Sequence, residues 1–130
     1  MDIKSLMVGD WVQGNPCGQH CDRNKKTYYK IAVLDIGNHC WGYSVCGAIV
    51  ELKYDNIFPI PLTPEILEKN GFVGKEFYSE LIVGDFRILC DVHNVCVYHN
   101  EHVDLDIPIE YLHELQHAMR ICGISKEIEL

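Results

Sequence analysis

The sequence predicts an α+β fold in which strands outnumber helices. About seven short apolar or alternating runs are typical of strands, whereas two segments carry helix start and stop signals. The chain has 130 residues, of which 48% are hydrophobic, so it is long enough to bury a core without disulfide or metal support. We therefore expect a single domain over residues 1–130, with a barrel-like half at 1–62 and a second half at 63–130.

The first half carries four strand signals, at residues 6–13, 27–36, 41–45 and 48–54. The polar segment 14–26 contains Gly and Pro and predicts a loop, and Gly37 with Asn38 predicts a turn. Four short strands are arranged most economically as a small SH3-like barrel, because closure removes exposed sheet edges.

The second half opens with a short helix, because Thr63 can cap a helix that starts at Pro64 and Gly71 can end it. Strands are predicted at 76–83, 86–92 and 95–99, joined by tight turns. A final helix covers residues 109–122 and is closed by Gly123. We expect these antiparallel strands to be packed by the terminal helix.

Charge and hydropathy narrow the range of partners. Eleven Lys and Arg stand against 19 Asp and Glu, a net charge of −8, which argues against nucleic acid because that binding depends on cationic side chains. No apolar run approaches the roughly 18–20 residues of a membrane helix, and the start of the chain has no signal-peptide pattern. We expect a cytoplasmic protein whose seven cysteines are reduced thiols.

The most specific motif is HELQH at residues 113–117, in the final helix. His113 and His117 lie one turn apart and could share Zn²⁺, with Glu114 as general base for a metal-bound water. A catalytic zinc needs a third protein ligand. His99 or His102 could supply it, but no spacing signals either residue.

The apolar positions of the final helix favour a structural role instead. Six residues fall within one arc when positions are placed at about 100° per residue: Tyr111, Leu112, Leu115, Ala118, Met119 and Cys122. We expect this stripe to be buried and the two histidines, on the other side, to be at least partly exposed. They would then be an incidental pair without a catalytic zinc.

Two cysteine groups are weaker candidates. Five residues of the first half have ligand types that suit zinc: Cys17, His20, Cys21, His39 and Cys40. In the second half Cys96 is a candidate nucleophile near His93, and Cys90 could face it across a hairpin. For both groups, cysteines without a chemical role are the favoured interpretation.

Aromatic residues are concentrated in the predicted strands of the first half: Trp11, Tyr28, Tyr29, Trp41 and Tyr43. Such side chains build the cores of small barrels. They also form the centres of faces that bind peptides and proteins. The sequence favours a core role and leaves the binding face open.

Three segments, at residues 6–12, 60–72 and 111–117, resemble small uncharacterised proteins of gut-bacterial prophages and mobile elements. Together they cover roughly a quarter of the chain. In those proteins the last segment looks like Tyr-Val-His-Gln-Leu-Gln-Asn, without the Glu and the second His of HELQH. The resemblance implies a mobile-element setting and carries no activity.

We therefore expect a non-enzymatic accessory or interaction protein of a phage or mobile element, without a cofactor. Its partner is expected to be a protein, with no role for nucleic acid or membrane. The alternative is a minimal zinc-dependent protease or hydrolase, in which His113 and His117 bind the metal and Glu114 is catalytic.

Overall fold

A computed structural model of the chain describes residues 6–14, 27–34 and 39–130, without the side chains of His39 and Asp55. Within these residues, ten strands form two five-stranded antiparallel sheets and are accompanied by two α-helices. The predicted α+β class with more strand than helix is confirmed. The chain divides into two compact units, Met1–Ile60 and Pro61–Leu130.

The first unit holds one sheet, made of strands β1 (Trp11–Gly14), β2 (Thr27–Leu34), β3 (His39–Ser44), β4 (Ile49–Lys53) and β5 (Ile57–Phe58). Neighbouring strands pair antiparallel in the order β4-β3-β2-β1-β5. Across the residues that the structure describes, this order does not close on itself. The SH3-like barrel is therefore not confirmed, although the antiparallel strand set that suggested it is present.

A turn at residues 7–10 precedes the first strand. The strand therefore begins later in the sequence than residue 6, where the apolar pattern predicted its start. The Asp10 carboxylate accepts a 2.8 Å hydrogen bond from the backbone N–H of Met7, and the backbone N–H of Asp10 donates to the Met7 carbonyl at 3.1 Å. Gly9 has a φ of 94°, which a residue with a side chain rarely adopts. Asp10 is consequently buried, and β1 begins only at Trp11.

Alternation along the strands gives the first sheet one buried face. Its central side chains come from β1 to β4: Val12, Tyr29, Ile31, Cys40 and Leu52. Gly42 lies on the same face, where an added Cβ would meet the Cβ of Tyr29 at 3.1 Å and the Cδ1 of Leu52 at 3.2 Å. The core is therefore packed tightly enough at this point to require glycine.

The second unit holds helix α1 (Pro64–Lys69), strands β6 (Val73–Gly74), β7 (Ser79–Val83), β8 (Phe86–Cys90), β9 (Asn94–His99) and β10 (His102–Pro108), and helix α2 (Leu112–Ile121). The strands pair in the order β10-β9-β8-β7-β6. Because sequence neighbours are also spatial neighbours, the sheet is a simple meander. This agrees with the antiparallel strands predicted for this half.

The signals for α1 are confirmed by its hydrogen bonds. The Thr63 Oγ1 accepts from the backbone N–H of Ile66 at 3.3 Å, and Pro64 is the first helical residue. Gly71 has a φ of 90° just after the helix. The backbone N–H of Phe72 then donates to the carbonyl of Leu67 at 3.0 Å, and the Phe72 side chain is buried. These are the contacts of a helix end closed by glycine.

Strand β10 was not predicted from the sequence. The turn before it places Asn100 and Glu101 at φ values of 50° and 69°, in a left-handed conformation that Glu seldom adopts. A bulge between Val103 and Leu105 then interrupts the alternation of side chains. Both features remove the local signals from which a strand is recognised.

The segment after α2 is held to the second unit by Asn70. Its side-chain amide donates to the carbonyl of Glu129 at 2.9 Å, and its side-chain oxygen accepts from the backbone N–H of Glu129 at 2.7 Å. Ile124 and Ile128, which precede Glu129 in this segment, are buried. Residues 124–130 are thus an integral part of the unit. Among the described residues, neither helix is long and apolar enough to cross a membrane.

Candidate functional site

Glu114, the proposed general base, caps its own helix. One of its carboxylate oxygens, Oε1, accepts hydrogen bonds from the backbone N–H groups of Glu110 at 3.0 Å and Tyr111 at 2.9 Å. The N–H groups at a helix start have no partner within the helix. A Glu three residues after the N-cap that reaches back to it is half of a capping box. The side chain is therefore engaged in holding the helix start.

The histidines differ in burial. His113 and His117 lie on successive turns with ring centroids 5.5 Å apart, but His113 is only 5% exposed whereas His117 is half-buried. The prediction that His113 would be partly exposed is wrong. Four residues of the predicted stripe are buried, namely Leu112, Leu115, Ala118 and Met119, whereas Tyr111 and Cys122 at its ends are half-buried. Burial extends beyond the stripe to His113 and Gln116. The helix is enclosed over a wider arc than its apolar residues indicate.

A catalytic zinc does not fit the residues that the structure describes. The Nδ1 atom of His113 is buried and makes no hydrogen bond, although the residue interacts elsewhere; an imidazole nitrogen of this kind suits a metal. However, no group of three or more His, Cys, Asp or Glu side chains in the described residues could hold one. His99 instead stacks on Phe86 at 4.5 Å, with its Nδ1 3.9 Å from an Asp104 carboxylate oxygen. Among the described residues, the contacts of HELQH are therefore the helix cap made by Glu114 and the burial of His113.

The cysteine candidates are not brought together either. Cys17, His20 and Cys21 lie outside the described residues, and Cys40 is buried in the first sheet. In the second sheet the register pairs Cys90 with Val95 and Leu89 with Cys96, so Cys90 and Cys96 point to opposite faces. The expectation that these two thiols face each other is wrong. Burial, with a smaller contribution from Asp91, raises the pKa of Cys90 to about 12.

Cys46, which the sequence analysis did not single out, is exposed, whereas Cys90 is buried. Cys46 lies in the exposed turn between β3 and β4, with its sulfur 3.1 Å from the hydroxyl of Ser44. The Ser44 hydrogen bond, followed by the backbone at Ala48, lowers the pKa of Cys46 below its ordinary value. The Ser-Val-Cys-Gly order of the turn was the available signal. The five described cysteines form no disulfide among themselves.

The aromatic residues of the first sheet divide between its two faces. Tyr29 is buried on the inner face, as a core role predicts. Trp11 is also buried, but the register pairs it with Lys30 and so places it on the same side of the sheet as Tyr43. Tyr28, Trp41 and Tyr43 are 38%, 41% and 43% exposed on the outer face. The sequence left the two roles open, and the structure assigns residues to each.

Two aliphatic side chains complete this outer surface. In the strand register Val33 is opposite Trp41, and Tyr43 is opposite Ile49. Val33 and Ile49 are 52% and 58% exposed. We call the group of Tyr28, Val33, Trp41, Tyr43 and Ile49 the aromatic face. It crosses three adjacent strands, so its members are neighbours and form one surface.

Charged residues flank the aromatic face on both sides of β3. Lys30 on β2 is opposite Tyr43, and Glu51 on β4 is opposite Trp41. Both residues take part in other interactions within the chain. The face therefore has an apolar centre along β3 and one charge of each sign beside it.

The outer face of the second sheet is built differently. Arg87 donates a 2.8 Å hydrogen bond to the Glu80 carboxylate and lies 5.9 Å from the centre of the Tyr98 ring. Nearby, the Asn94 side chain donates to Asp106 at 2.8 Å. An open hollow of about 430 Å³ beside Arg87 and Tyr98 is bordered by the β7–β8 turn at Gly84 and Asp85 and by the β9–β10 turn at Asn100 and Glu101. Arg87 and Asn94 thus bond to carboxylates within the same sheet, and such polar pairs are typical of a solvated sheet face.

Comparison with known proteins identifies no relative from which a site could be transferred. No family model, no curated protein and no solved structure matches the chain. The surfaces described above are therefore compared on their chemistry alone. On that basis the aromatic face is the strongest candidate, because it combines exposed aromatic area with a defined strand framework.

Proposed function

We propose that this chain is a non-enzymatic interaction protein that binds a protein partner through the aromatic face. The observation that supports it best is the exposure of Trp41 and Tyr43 on β3, an inner strand of a five-stranded sheet, with Val33 and Ile49 beside them. Trp and Tyr are enriched among the residues that contribute most to protein–protein binding. A solvated sheet face carries polar side chains at such central positions.

The free energy available from burying the aromatic face is large enough to support specific binding. A Trp or Tyr side chain buries 150–250 Å² at most, so Trp41 and Tyr43, each about 40% exposed, offer roughly 60–100 Å² apiece. At about 25 cal/mol per Å² this is worth about 2 kcal/mol for each residue. The aliphatic neighbours add to that, and the flat strand framework holds all of them without a large ordering cost.

The chemistry of the face also supports a protein as the partner. Lys30 and Glu51 beside it carry opposite charges, whereas a nucleic-acid site presents an excess of cationic side chains. The five described cysteines form no disulfide with one another, which suits the reducing cytoplasm expected from the sequence. The resemblance of three segments to prophage and mobile-element proteins supports an accessory role in such an element.

The test compares two matched double variants. Trp41→Ser with Tyr43→Ser removes the centre of the aromatic face, and Ile82→Ser with Val103→Ser removes two exposed residues from the outer face of the second sheet. Proteins captured by the wild type from host lysate are identified by mass spectrometry, and the best candidate is purified for titration calorimetry. We expect the first variant to lose the partner and the second to keep it.

Circular dichroism and thermal unfolding of both variants establish that each is folded. If the partner binds the Trp41 and Tyr43 variant with unchanged affinity, the proposed site is wrong. If wild type and both variants capture the same proteins at the same level, the aromatic face has no binding role.

A further inference from the structure

Residues 124–130 lie along the second unit as an extended segment. Ile124 and Ile128 are 5% and 3% exposed, and Lys126 and Leu130 are half-buried. The three residues between them are exposed: Ser125, Glu127 and Glu129. Burial at every second residue is typical of extended backbone, in which successive side chains point to opposite sides. The structure describes all of these residues and assigns none of them to a strand or helix, so the segment packs on the unit without joining its sheet.

Asn70 binds the backbone of this segment. Its side-chain amide pairs with both backbone groups of Glu129, donating to the carbonyl at 2.9 Å and accepting from the N–H at 2.7 Å, as a neighbouring strand would. The side chain of Glu129 is exposed and takes no part in these two bonds. The amide nitrogen of Asn70 also donates to the carbonyl of Ile66 at 2.9 Å, and Asn70 is 4% exposed. Helix α1 therefore holds the amide in the orientation that the segment requires.

These contacts are of the two kinds by which proteins bind extended peptides. Main-chain hydrogen bonds supply affinity, and pockets for alternate side chains supply specificity. In the second unit Asn70 supplies the first, and the buried positions of Ile124 and Ile128 supply the second. Ordering the segment costs conformational entropy of the same order as the gain from two buried isoleucines and two hydrogen bonds. We expect the segment to open locally while the sheet stays folded, with the turn at Gly123, whose φ is 77°, as the hinge.

We infer that residues 124–130 fill a peptide-binding groove of their own unit, and that the groove takes a separate extended peptide when the segment opens. The segment itself defines the ligand, which has two isoleucines four residues apart and then a residue whose backbone pairs with Asn70. Because the segment is attached to the groove, its effective concentration there is high. It therefore acts as a strap that excludes external peptides until it is displaced. This site is distinct from the aromatic face, which belongs to the first unit.

Peptide binding to a full chain with a weakened strap tests this inference. The probe is a fluorescein-labelled heptapeptide with the sequence of the strap, Ile-Ser-Lys-Glu-Ile-Glu-Leu, and binding is measured by fluorescence anisotropy. Ile128→Ser weakens the strap and leaves the groove intact, so we expect it to bind the probe at least about tenfold more tightly than the wild type does. Ile121→Ser is the matched control and should bind like the wild type, because Ile121 is 73% exposed and precedes the strap.

Two further comparisons separate the roles of backbone and side chains. Adding Asn70→Ala to Ile128→Ser should weaken binding about tenfold, since two hydrogen bonds to the peptide backbone are lost. A probe with serine in place of both isoleucines should not bind. In the wild type, the Glu129 amide should exchange its hydrogen faster than the amides of the inner strand β9. Its rate should also be insensitive to low urea concentrations, because opening of the strap exposes little surface.

The inference is overturned if Ile128→Ser binds the probe no more tightly than the wild type, or binds the serine-substituted probe equally well. Binding that Asn70→Ala leaves unchanged refutes the recognition of the peptide backbone by Asn70. Circular dichroism establishes whether each variant is folded. If Ile128→Ser does not fold, hydrogen exchange of the wild type decides. A Glu129 amide that exchanges only with the global unfolding seen at β9 refutes the strap, since the groove would then never open in the folded protein.

Discussion

Replacing Glu114 by alanine removes the acceptor for two backbone N–H groups at the start of α2, at Glu110 and Tyr111. Loss of a helix cap typically costs about 0.5–2 kcal/mol. The negative charge in the first turn adds about 0.3–1 kcal/mol through the helix dipole. Because Glu110 is exposed and water can replace part of the lost bonding there, we expect Glu114→Ala to lower the free energy of unfolding by about 1–2 kcal/mol.

Glu114→Gln separates capping from catalysis. Glutamine keeps a side-chain oxygen at the same reach and loses only the charge, so we expect a cost of about 0.5 kcal/mol. A catalytic general base predicts a different pattern, in which both variants abolish hydrolysis and leave stability unchanged. Glu110→Ala is the matched control, because it removes a nearby carboxylate that does not cap the helix.

Urea unfolding followed by circular dichroism measures these differences. The expected order of stability is wild type, then the glutamine variant, then the alanine variant, with the Glu110 control close to wild type. If Glu114→Ala lies within about 0.3 kcal/mol of the wild type, below the usual worth of one hydrogen bond, the capping argument is refuted.

Three further predictions concern the core, the C-terminal segment and the thiols. Leu115 is completely buried, so Leu115→Ala should cost about 2–5 kcal/mol in urea unfolding; a loss under about 1 kcal/mol would contradict its place in the core. Asn70→Ala should increase amide hydrogen exchange at Glu129, because the backbone of Glu129 loses both of its hydrogen bonds to the Asn70 side chain. Unchanged protection of this amide would argue against the role of Asn70 in holding the C-terminal segment. Cys46 should react with iodoacetamide faster than Cys90 at neutral pH, because its pKa is lowered by the Ser44 hydroxyl whereas burial raises that of Cys90 to about 12. Ser44→Ala should slow the labelling of Cys46, and peptide mapping that finds Cys90 labelled first would show that this reasoning is wrong.

Helix ends were predictable from the sequence because they depend on local chemistry. The Thr63 cap, Gly71 and Gly123 all act within a few residues of the helix they bound. Strand β10 was not predictable in the same way. Its turn uses Glu101 in a left-handed conformation that only the surrounding hairpin stabilises.

The candidate site was predictable in part. Alternation places Tyr28 and Tyr29 on opposite faces of any strand that contains both, but it does not tell which face is covered. Similarly, the apolar stripe of α2 identified Leu115 as buried, yet the width of the enclosed arc depends on tertiary packing. That is why the burial of His113 was missed.

Strand β10 forms one border of the second sheet, and border strands are where proteins polymerise into fibrils. Its bulge at Val103 to Leu105 bends the backbone away from a straight template, and Pro108 at its end has no N–H to donate. Asp104 and Asp106 would place like charges together if two such strands met in register. We therefore expect the irregularities that made this strand hard to predict from the sequence to disfavour its edge-to-edge pairing with another chain.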